Sequence, residues 1–218
     1  TAGSAPNLVR LKQEARAMAE MTHPAIAQIH SLETWRDRPL LIVEFLPGGT
    51  LAARLDRGPL PAPDAIGIAV TVAEAIQTLH DTGYLHRDVK PSNIGFTADG
   101  SPKLLDFGLA HLVGTSDAPA GTVPYLSPEV LRGHPAGEAD DVWSLGVVMY
   151  EMVAGRNPFA GGSVDDVIDR ILHQQIPRPP SESDRTSALT VQVGSMLTAA
   201  ASARPRTARE FAGVLRRL

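Results

Sequence analysis

The chain has no cysteine. It can form no disulfide, no thiolate nucleophile and no Cys-ligated zinc or iron–sulfur site, which fits a reducing compartment. It also lacks an excess of positive charge: 20 Lys and Arg stand against 24 Asp and Glu, for a net charge of −4 at pH 7. No bulk field is present to hold nucleic acid or an anionic membrane, so no nucleic-acid partner is expected. Long apolar runs are missing as well. The longest, Leu40 to Leu46 and Leu145 to Ala154, carry Glu44 and Glu151 and fall far short of the roughly 20 residues of a membrane span. With no secretory leader pattern at Thr1, the expectation is a cytoplasmic protein or the intracellular domain of a longer one. The seven histidines show no His-Glu-x-x-His spacing, so a zinc hydrolase is not indicated.

What is present suffices for a core. At 218 residues and 43% hydrophobic content, folding buries on the order of 70% of the unfolded surface, as one domain or one domain with a small appendage. Gly and Pro, 19 and 18 residues, are spread as punctuation and not gathered into a linker. Leu8, Leu11, Ala15, Met18 and Met21 predict a helix behind Asn7 that stops at His23-Pro24. Ile26 to Leu32 and Leu40 to Leu46 predict a hairpin joined across residues 35–39. Beyond Pro47-Gly48-Gly49, a helix over Ala65 to His80 is expected, capped by Asp64 and ended by Gly83. Small strands are expected at Tyr84-Leu85, Ile94 to Phe96 and Lys103 to Leu105, the last two joined by an Asp99-Gly100 turn. Asp140 to Ala154 is apolar nearly all round and predicts a buried central helix. Ser163 with Asp166 and Thr207 with Glu210 predict two capping-box starts, and Val191 to Ala201 a helix between them. The class expected is α+β.

The string His86-Arg87-Asp88-Val89-Lys90-Pro91-Ser92-Asn93 is followed, eighteen residues after Asp88, by Asp106-Phe107-Gly108. This pair resembles the catalytic loop and metal-binding turn of protein kinases at every defined position, and Lys90 resembles the serine/threonine branch. Ser127-Pro128-Glu129 stands where that family has Ala-Pro-Glu, with Gly121 to Tyr125 before it. Asp141 to Gly146 resembles the start of the family's central helix, and Arg204-Pro205 its late arginine. Ordered matches run from Glu14 to Arg204, nearly the whole chain.

The resemblance implies a eukaryotic-like (Hanks-type) serine/threonine protein kinase domain that moves the ATP γ-phosphate to protein hydroxyls with Mg²⁺. Such transfer is mostly positioning and charge neutralisation. Asp88 is then the acceptor for the hydroxyl proton, Lys90 a cation for the γ-phosphate, and Asn93 with Asp106 the metal ligands. This sparse set suits Mg²⁺, which keeps several waters. Glu14 would clamp the strand lysine that grips the nucleotide. Val43 is read as gatekeeper, Glu44 to Leu46 as hinge, and Gly95 as the adenine floor. His86 is read as packing in a spine with Met18, Ile29 and Phe107 over Asp141, and Glu129 with Arg204 as a structural ion pair. Arg87 would receive a phosphate arising at Thr115 or Ser116, and Thr122 would hydrogen-bond near Asp88 and Lys90. Residues 1–46 would form part of the small lobe and 47–218 the large lobe. Residues rich in Ala, Arg, Gly and Pro hint at a bacterial source.

Two departures accompany the match. The family's glycine-rich loop and third-strand lysine are not among these residues, since Gly3 is the only glycine before Glu14 and Lys12 lies within the predicted helix. Either the first part of the small lobe lies outside this sequence, the preferred account, or the protein is naturally shortened. Gly95 replaces an apolar side chain, which predicts nucleotide binding weakened by tenfold or more unless a neighbour fills the space. The alternative function is therefore a kinase-like pseudoenzyme or scaffold. A small-molecule phosphotransferase is weaker, because it has no need of the segment Thr122 to Glu129.

Overall fold

The computed structural model describes residues 22–36, 38–105, 121–177, 184–198 and 200–218. The expected helix with Glu14 and Met18, the Asp106-Phe107-Gly108 turn, and Thr115 and Ser116 lie outside the described residues. Among the described residues the class is α+β, with two two-stranded antiparallel sheets and a helical body.

The first sheet is the hairpin of β1 (Ile29–Trp35) and β2 (Arg38–Val43). It is set about three residues later in β1 than periodicity predicts, and the connection shrinks to residues 36–37, where Arg36 takes a left-handed conformation with φ 49°. The cause lies in Ile26 to Gln28, which are diverted from the hairpin. Ala27 N donates to Leu104 O at 2.9 Å, and Leu104 N donates to Ala25 O at 2.8 Å. Glu44 N donates to Gln28 O at 2.8 Å, so the tail of the predicted second strand pairs with this same segment.

Helix α1 (Leu51–Leu55) follows, with Thr50 Oγ1 accepting from Ala53 N at 3.2 Å. Helix α2 (Ala62–Asp81) starts earlier than expected, behind Pro61 instead of an Asp64 cap. Pro63 occupies the first turn, where its missing N–H leaves no orphan donor, and Asp64 sits there as a charge favoured by the helix dipole. Tyr84-Leu85 is no strand: Tyr84 N bonds back to Leu79 O, and the main-chain amides of His86 and Arg87 turn to a side chain described below.

Strands β3 (Ile94–Phe96) and β4 (Pro102–Leu104) pair Ile94 with Leu104 and Gly95 with Lys103. Gly48 N donates to Phe96 O at 2.8 Å. A Cβ at Gly48 would stand 2.7 Å from Phe96 Cβ, so only glycine lets the hinge lie this close to β3.

Helix α3 (Pro128–Leu131) is short and capped by Ser127. Helix α4 (Glu138–Ala154) is the core element: Val142, Leu145, Met149 and Met152 are buried on successive turns, and Gly155 closes the helix in a left-handed cap. Helices α2 and α6 (Asp184–Thr198) pack on α4, and α7 (Ala208–Leu215) packs on both α2 and α4. The Ser163–Asp166 box opens α5 (Val164–Leu172) reciprocally, with Asp166 N donating to Ser163 Oγ at 3.2 Å and Ser163 N to Asp166 Oδ2 at 2.8 Å. The Thr207–Glu210 box is only half formed. Thr207 Oγ1 accepts from Glu210 N, but Glu210 Oε2 accepts from Arg206 N, one residue early. Helix α6 begins seven residues before the predicted Val191.

Candidate active site

The apolar stripe of α2 runs Ala69, Ala73, Ile76 and then His80, so helical spacing alone carries a histidine into the core. There its Nε2 lies 2.8 Å from Asp141 Oδ2. Asp141, in the first turn of α4 and 2% exposed, also accepts from His86 N at 2.8 Å through Oδ2 and from Arg87 N at 2.7 Å through Oδ1. One carboxylate therefore fixes two consecutive main-chain amides. Arg87 is held at φ 63°, a left-handed backbone that costs a non-glycine residue about 1–2 kcal/mol. The three charge-assisted bonds to Asp141 outweigh that strain.

His86 is fully buried. Its Nδ1 accepts from Asp88 N at 3.2 Å and its Nε2 donates to Leu105 O at 2.9 Å. These partners set the Nε2–H tautomer and leave no lone pair for base chemistry. The bonds join the loop of Asp88 to the residue just before Asp106, and Leu105 N donates in turn to Asn93 O at 2.8 Å.

Three side chains meet at Asp88. Its Oδ2 accepts from Asn93 Nδ2 at 2.8 Å and lies 2.8 Å from Lys90 Nζ, and its Oδ1 accepts from Thr122 Oγ1 at 3.1 Å. Lys90 Nζ also donates to Thr122 Oγ1 at 2.9 Å, so Thr122 closes the ring. Asn93 Nδ2 donates its second proton to Asp88 O at 2.9 Å. Both amide protons are thus committed to Asp88, which fixes the amide's orientation and presents Oδ1 as the atom for another partner. That oxygen, which Ser92 Oγ approaches at 3.5 Å, is of the kind a hard cation such as Mg²⁺ takes as a ligand, while Asp106 lies outside the described residues.

The protein kinase domain family matches residues 4–212. The chain belongs to that family. It is 35% identical over 189 residues to the serine/threonine-protein kinase PknL of Mycobacterium tuberculosis, covering 84% of this chain and 47% of that protein. It is 36% identical over 227 residues to the probable serine/threonine-protein kinase PknB of Corynebacterium glutamicum, covering 96% of this chain and 35% of that protein. It is 33% identical over 219 residues to the serine/threonine-protein kinase PknB of Mycobacterium leprae, covering 95% of this chain and 35% of that protein. The chain spans about half the length of the first of these and about a third of the other two. It is a kinase domain of the serine/threonine class, and proteins of this family use ATP and Mg²⁺. Among the described residues no helix is long and apolar enough to cross a membrane.

At Gly95 a neighbour does fill the space. A Cβ there would stand 2.5 Å from Leu46 Cδ1 and 3.2 Å from Leu105 Cδ1. Leu46 fills the volume that the absent side chain vacates, so the loss of an apolar floor does not follow from Gly95 alone. Val43 ends β2 opposite Ile29. Glu44 turns its side chain to Lys103 Nζ at 2.7 Å and Gln28 N at 3.0 Å. Burial alone would raise the Glu44 carboxyl, but the Lys103 ammonium and the Gln28 amide outweigh it and hold it below the usual carboxylate range. In the sequence Lys103 marks only the start of a short strand; it pairs across β3–β4 with Gly95, and that register brings it to Glu44.

Arg204 Nη1 donates to both Glu129 carboxylate oxygens at 3.1 Å, and its guanidinium lies 4.4 Å from the centroid of Trp143. Tyr125 OH donates to Glu151 Oε2 at 2.8 Å. Burial raises the Glu151 carboxyl above its ordinary value, and burial together with the Glu151 charge raises the Tyr125 phenol far above its own. The sequence marked Glu151 only as a charge interrupting an apolar run.

Proposed function

We propose that the chain transfers the γ-phosphate of ATP to serine or threonine hydroxyls of protein substrates, with Asp88, Lys90, Asn93 and Asp106 as the catalytic set. The observation that carries this reading is that Asp88 is held on three sides and open on a fourth. A carboxylate offers about four acceptor positions, and Asn93, Lys90 and Thr122 take three of them. One is left to orient a substrate hydroxyl and accept its proton as the oxygen attacks phosphorus. Lys90 stands between Asp88 and the segment from Thr122, where its ammonium offsets charge on the transferring phosphoryl group. Mg²⁺, held by Asn93 Oδ1 and Asp106, would neutralise the phosphate oxygens.

Val43, Leu46 and Gly95 line the base site in this reading. The Glu44 side chain is committed to Lys103, so Glu44 contributes main chain there. Glu14 clamps the nucleotide-gripping lysine of a complete small lobe. Arg87 receives a phosphate from Thr115 or Ser116, which orders the segment ahead of Thr122. Residues 1–46 are small lobe, 47–218 large lobe, and the domain works in the cytoplasm on a protein partner. The scaffold alternative loses one of its motives, since Leu46 occupies the space beside Gly95.

The test is Asp88→Asn in the chain joined to a small lobe bearing the glycine-rich loop and lysine. Phosphate transfer to a protein substrate falls by at least about 100-fold at unchanged thermal stability. Transfer at the wild-type rate by that variant refutes the assignment.

A further inference from the structure

A groove of about 640 Å³ lies along α1, between the segment Pro47 to Thr50 and the turn at Gly58 and Pro59. It shares no lining residue with the cluster of Asp88, Lys90, Asn93 and Thr122, and nothing in the phosphoryl-transfer reading uses it. Nor is it the base site. Successive side chains of a strand point to opposite faces. A Cβ at Gly95 would meet Leu46 and Leu105, whereas Phe96, the next residue of β3, carries the Arg54 guanidinium 3.2 Å from its ring centroid. Arg54 lines the groove, so the groove and the base site lie on opposite faces of β3.

The charge in this groove is unbalanced. Arg54 and Arg57 line it and no other lining residue is charged, in a chain whose net charge is −4. Among the described residues neither guanidinium has a hydrogen-bond or ion-pair partner. The two act on each other instead: burial, and after it the Arg57 charge, lower the Arg54 guanidinium from its ordinary value. Like charges held together without a counter-charge carry a cost that a bound anion removes.

Both arginines are within reach of a ligand. Arg57 is exposed. Arg54 is half-buried, but its nitrogens are not among the buried polar atoms without a partner, so they meet solvent. Phe96 takes one face of the Arg54 guanidinium and leaves its in-plane N–H groups free, and such a fork binds phosphate oxygens two at a time. A phosphomonoester brings a charge of about −1.5 to −2 near neutral pH and three acceptor oxygens, enough to answer both arginines, where a carboxylate brings a single charge. The volume falls within the roughly 300–1,000 Å³ of ligand pockets, and Pro47, Ala53, Pro59 and Leu60 make part of the wall apolar. That combination fits a phosphorylated side chain with an apolar neighbour on a peptide.

We propose that this groove is a docking site for a phosphorylated peptide segment of a protein partner, its phosphomonoester held by Arg54 and Arg57 and an apolar neighbour set against Pro59 and Leu60. The site stands apart from the catalytic assignment and would hold if that assignment failed.

The test is fluorescence anisotropy on the chain without nucleotide, using a short dye-labelled peptide with one phosphoserine between leucines. The same peptide with serine or glutamate at that place, and phenyl phosphate as a competitor, are the comparisons. The phosphopeptide is expected to bind with Kd on the order of 100 μM, the serine form at least about tenfold more weakly and the glutamate form between them. Phenyl phosphate is expected to displace it only at concentrations about tenfold above that Kd. Arg57→Gln, at an exposed position, is expected to weaken the phosphopeptide about tenfold at unchanged Tm, and Arg206→Gln, an exposed arginine outside the groove, to leave binding as it was. No binding up to about 1 mM overturns the site. Equal binding of the serine form overturns the role of phosphate, equal binding of the glutamate form overturns the choice of a phosphomonoester, and displacement by phenyl phosphate at the peptide's own Kd overturns the peptide class. Full affinity in Arg57→Gln, or an equal loss in Arg206→Gln, puts the peptide elsewhere and overturns the groove.

Discussion

Asp141→Asn tests the wiring beneath the catalytic loop. The wild-type carboxylate accepts from His86 N and His80 through Oδ2 and from Arg87 N through Oδ1. An asparagine has one oxygen, so whichever way its amide turns, one main-chain N–H faces an NH₂ group. His80 can escape by changing tautomer, since its Nδ1 has no hydrogen-bond partner among the described residues and Glu138 Oε2 lies 3.7 Å away. The main-chain amides have no such choice. A hydrogen bond to a charged group contributes about 1.5–3 kcal/mol, and an unpaired buried donor adds desolvation cost, so the substitution should destabilise by about 2–4 kcal/mol. For a chain of this size that lowers Tm by about 5–15 °C, which urea titration and calorimetry both read. Relaxation of Arg87 from φ 63° also shifts Asp88, so any phosphotransfer should drop on the order of 10–100-fold at temperatures where the variant is folded. A variant within about 0.5 kcal/mol of wild type, with unchanged transfer, would show that Asp141 does not hold the loop.

Leu46→Ala is expected to weaken Mg·ATP binding about tenfold by calorimetry in the chain with a completed small lobe, and Gly95→Leu added to it should restore most of the loss. Gly95→Leu alone should be worse than the double variant, because Leu46 Cδ1 already occupies the space. Arg204→Ala should lower stability by about 2–3 kcal/mol, and more than Glu129→Gln does. The reason is that Arg204 is the more buried partner, 11% against 32% exposed, and also covers Trp143; the reverse order in chemical denaturation would refute this. Glu151 and Glu44 pull pH dependence in opposite directions. Glu151 has a raised folded value, so the folded state holds its proton longer and stability falls as pH rises through the interval above the ordinary glutamate range. Glu151→Gln should flatten that fall. Glu44 has a lowered value, so its contribution is present above the ordinary range and lost as pH drops through the folded value; Lys103→Met should remove this acid loss. Thermal melts between pH 3 and 8 separate the two.

The elements legible in the sequence were those in which local pattern and tertiary demand agree. Helix α4 is apolar all round because it is enclosed all round, β3 is bounded by its own turn, and the Ser163 box satisfies its donors within four residues. The misplaced elements answer to partners far along the chain. Ile26 to Gln28 carry strand-forming residues but pair with Leu104, and Tyr84-Leu85 lead into a segment whose amides are taken by Asp141. Helices α1 and α3 are too short for a period to register, although Thr50 and Ser127 are N-cap signals that would have located them. The catalytic-loop residues were readable because transfer chemistry restricts residue type and spacing. Lys103 and His80 were not, since their partners are set by strand register and helix packing.

The ladder at β4 has a mechanical consequence. Two separate crossings tie the β1–β2 hairpin to the helical body: the incoming strap Ala25 to Gln28, laced to Leu104, and the outgoing strap Leu46 to Thr50, laced to β3 at Phe96 and Gly95. Glu44 and Lys103 rivet one strap to the other side of the seam. A leaf hung at two points turns about the line through them and resists every other rotation. Among the described residues these are the ties between the hairpin and the helical body, so a turn of one against the other is easiest about the line through Leu104 and Phe96.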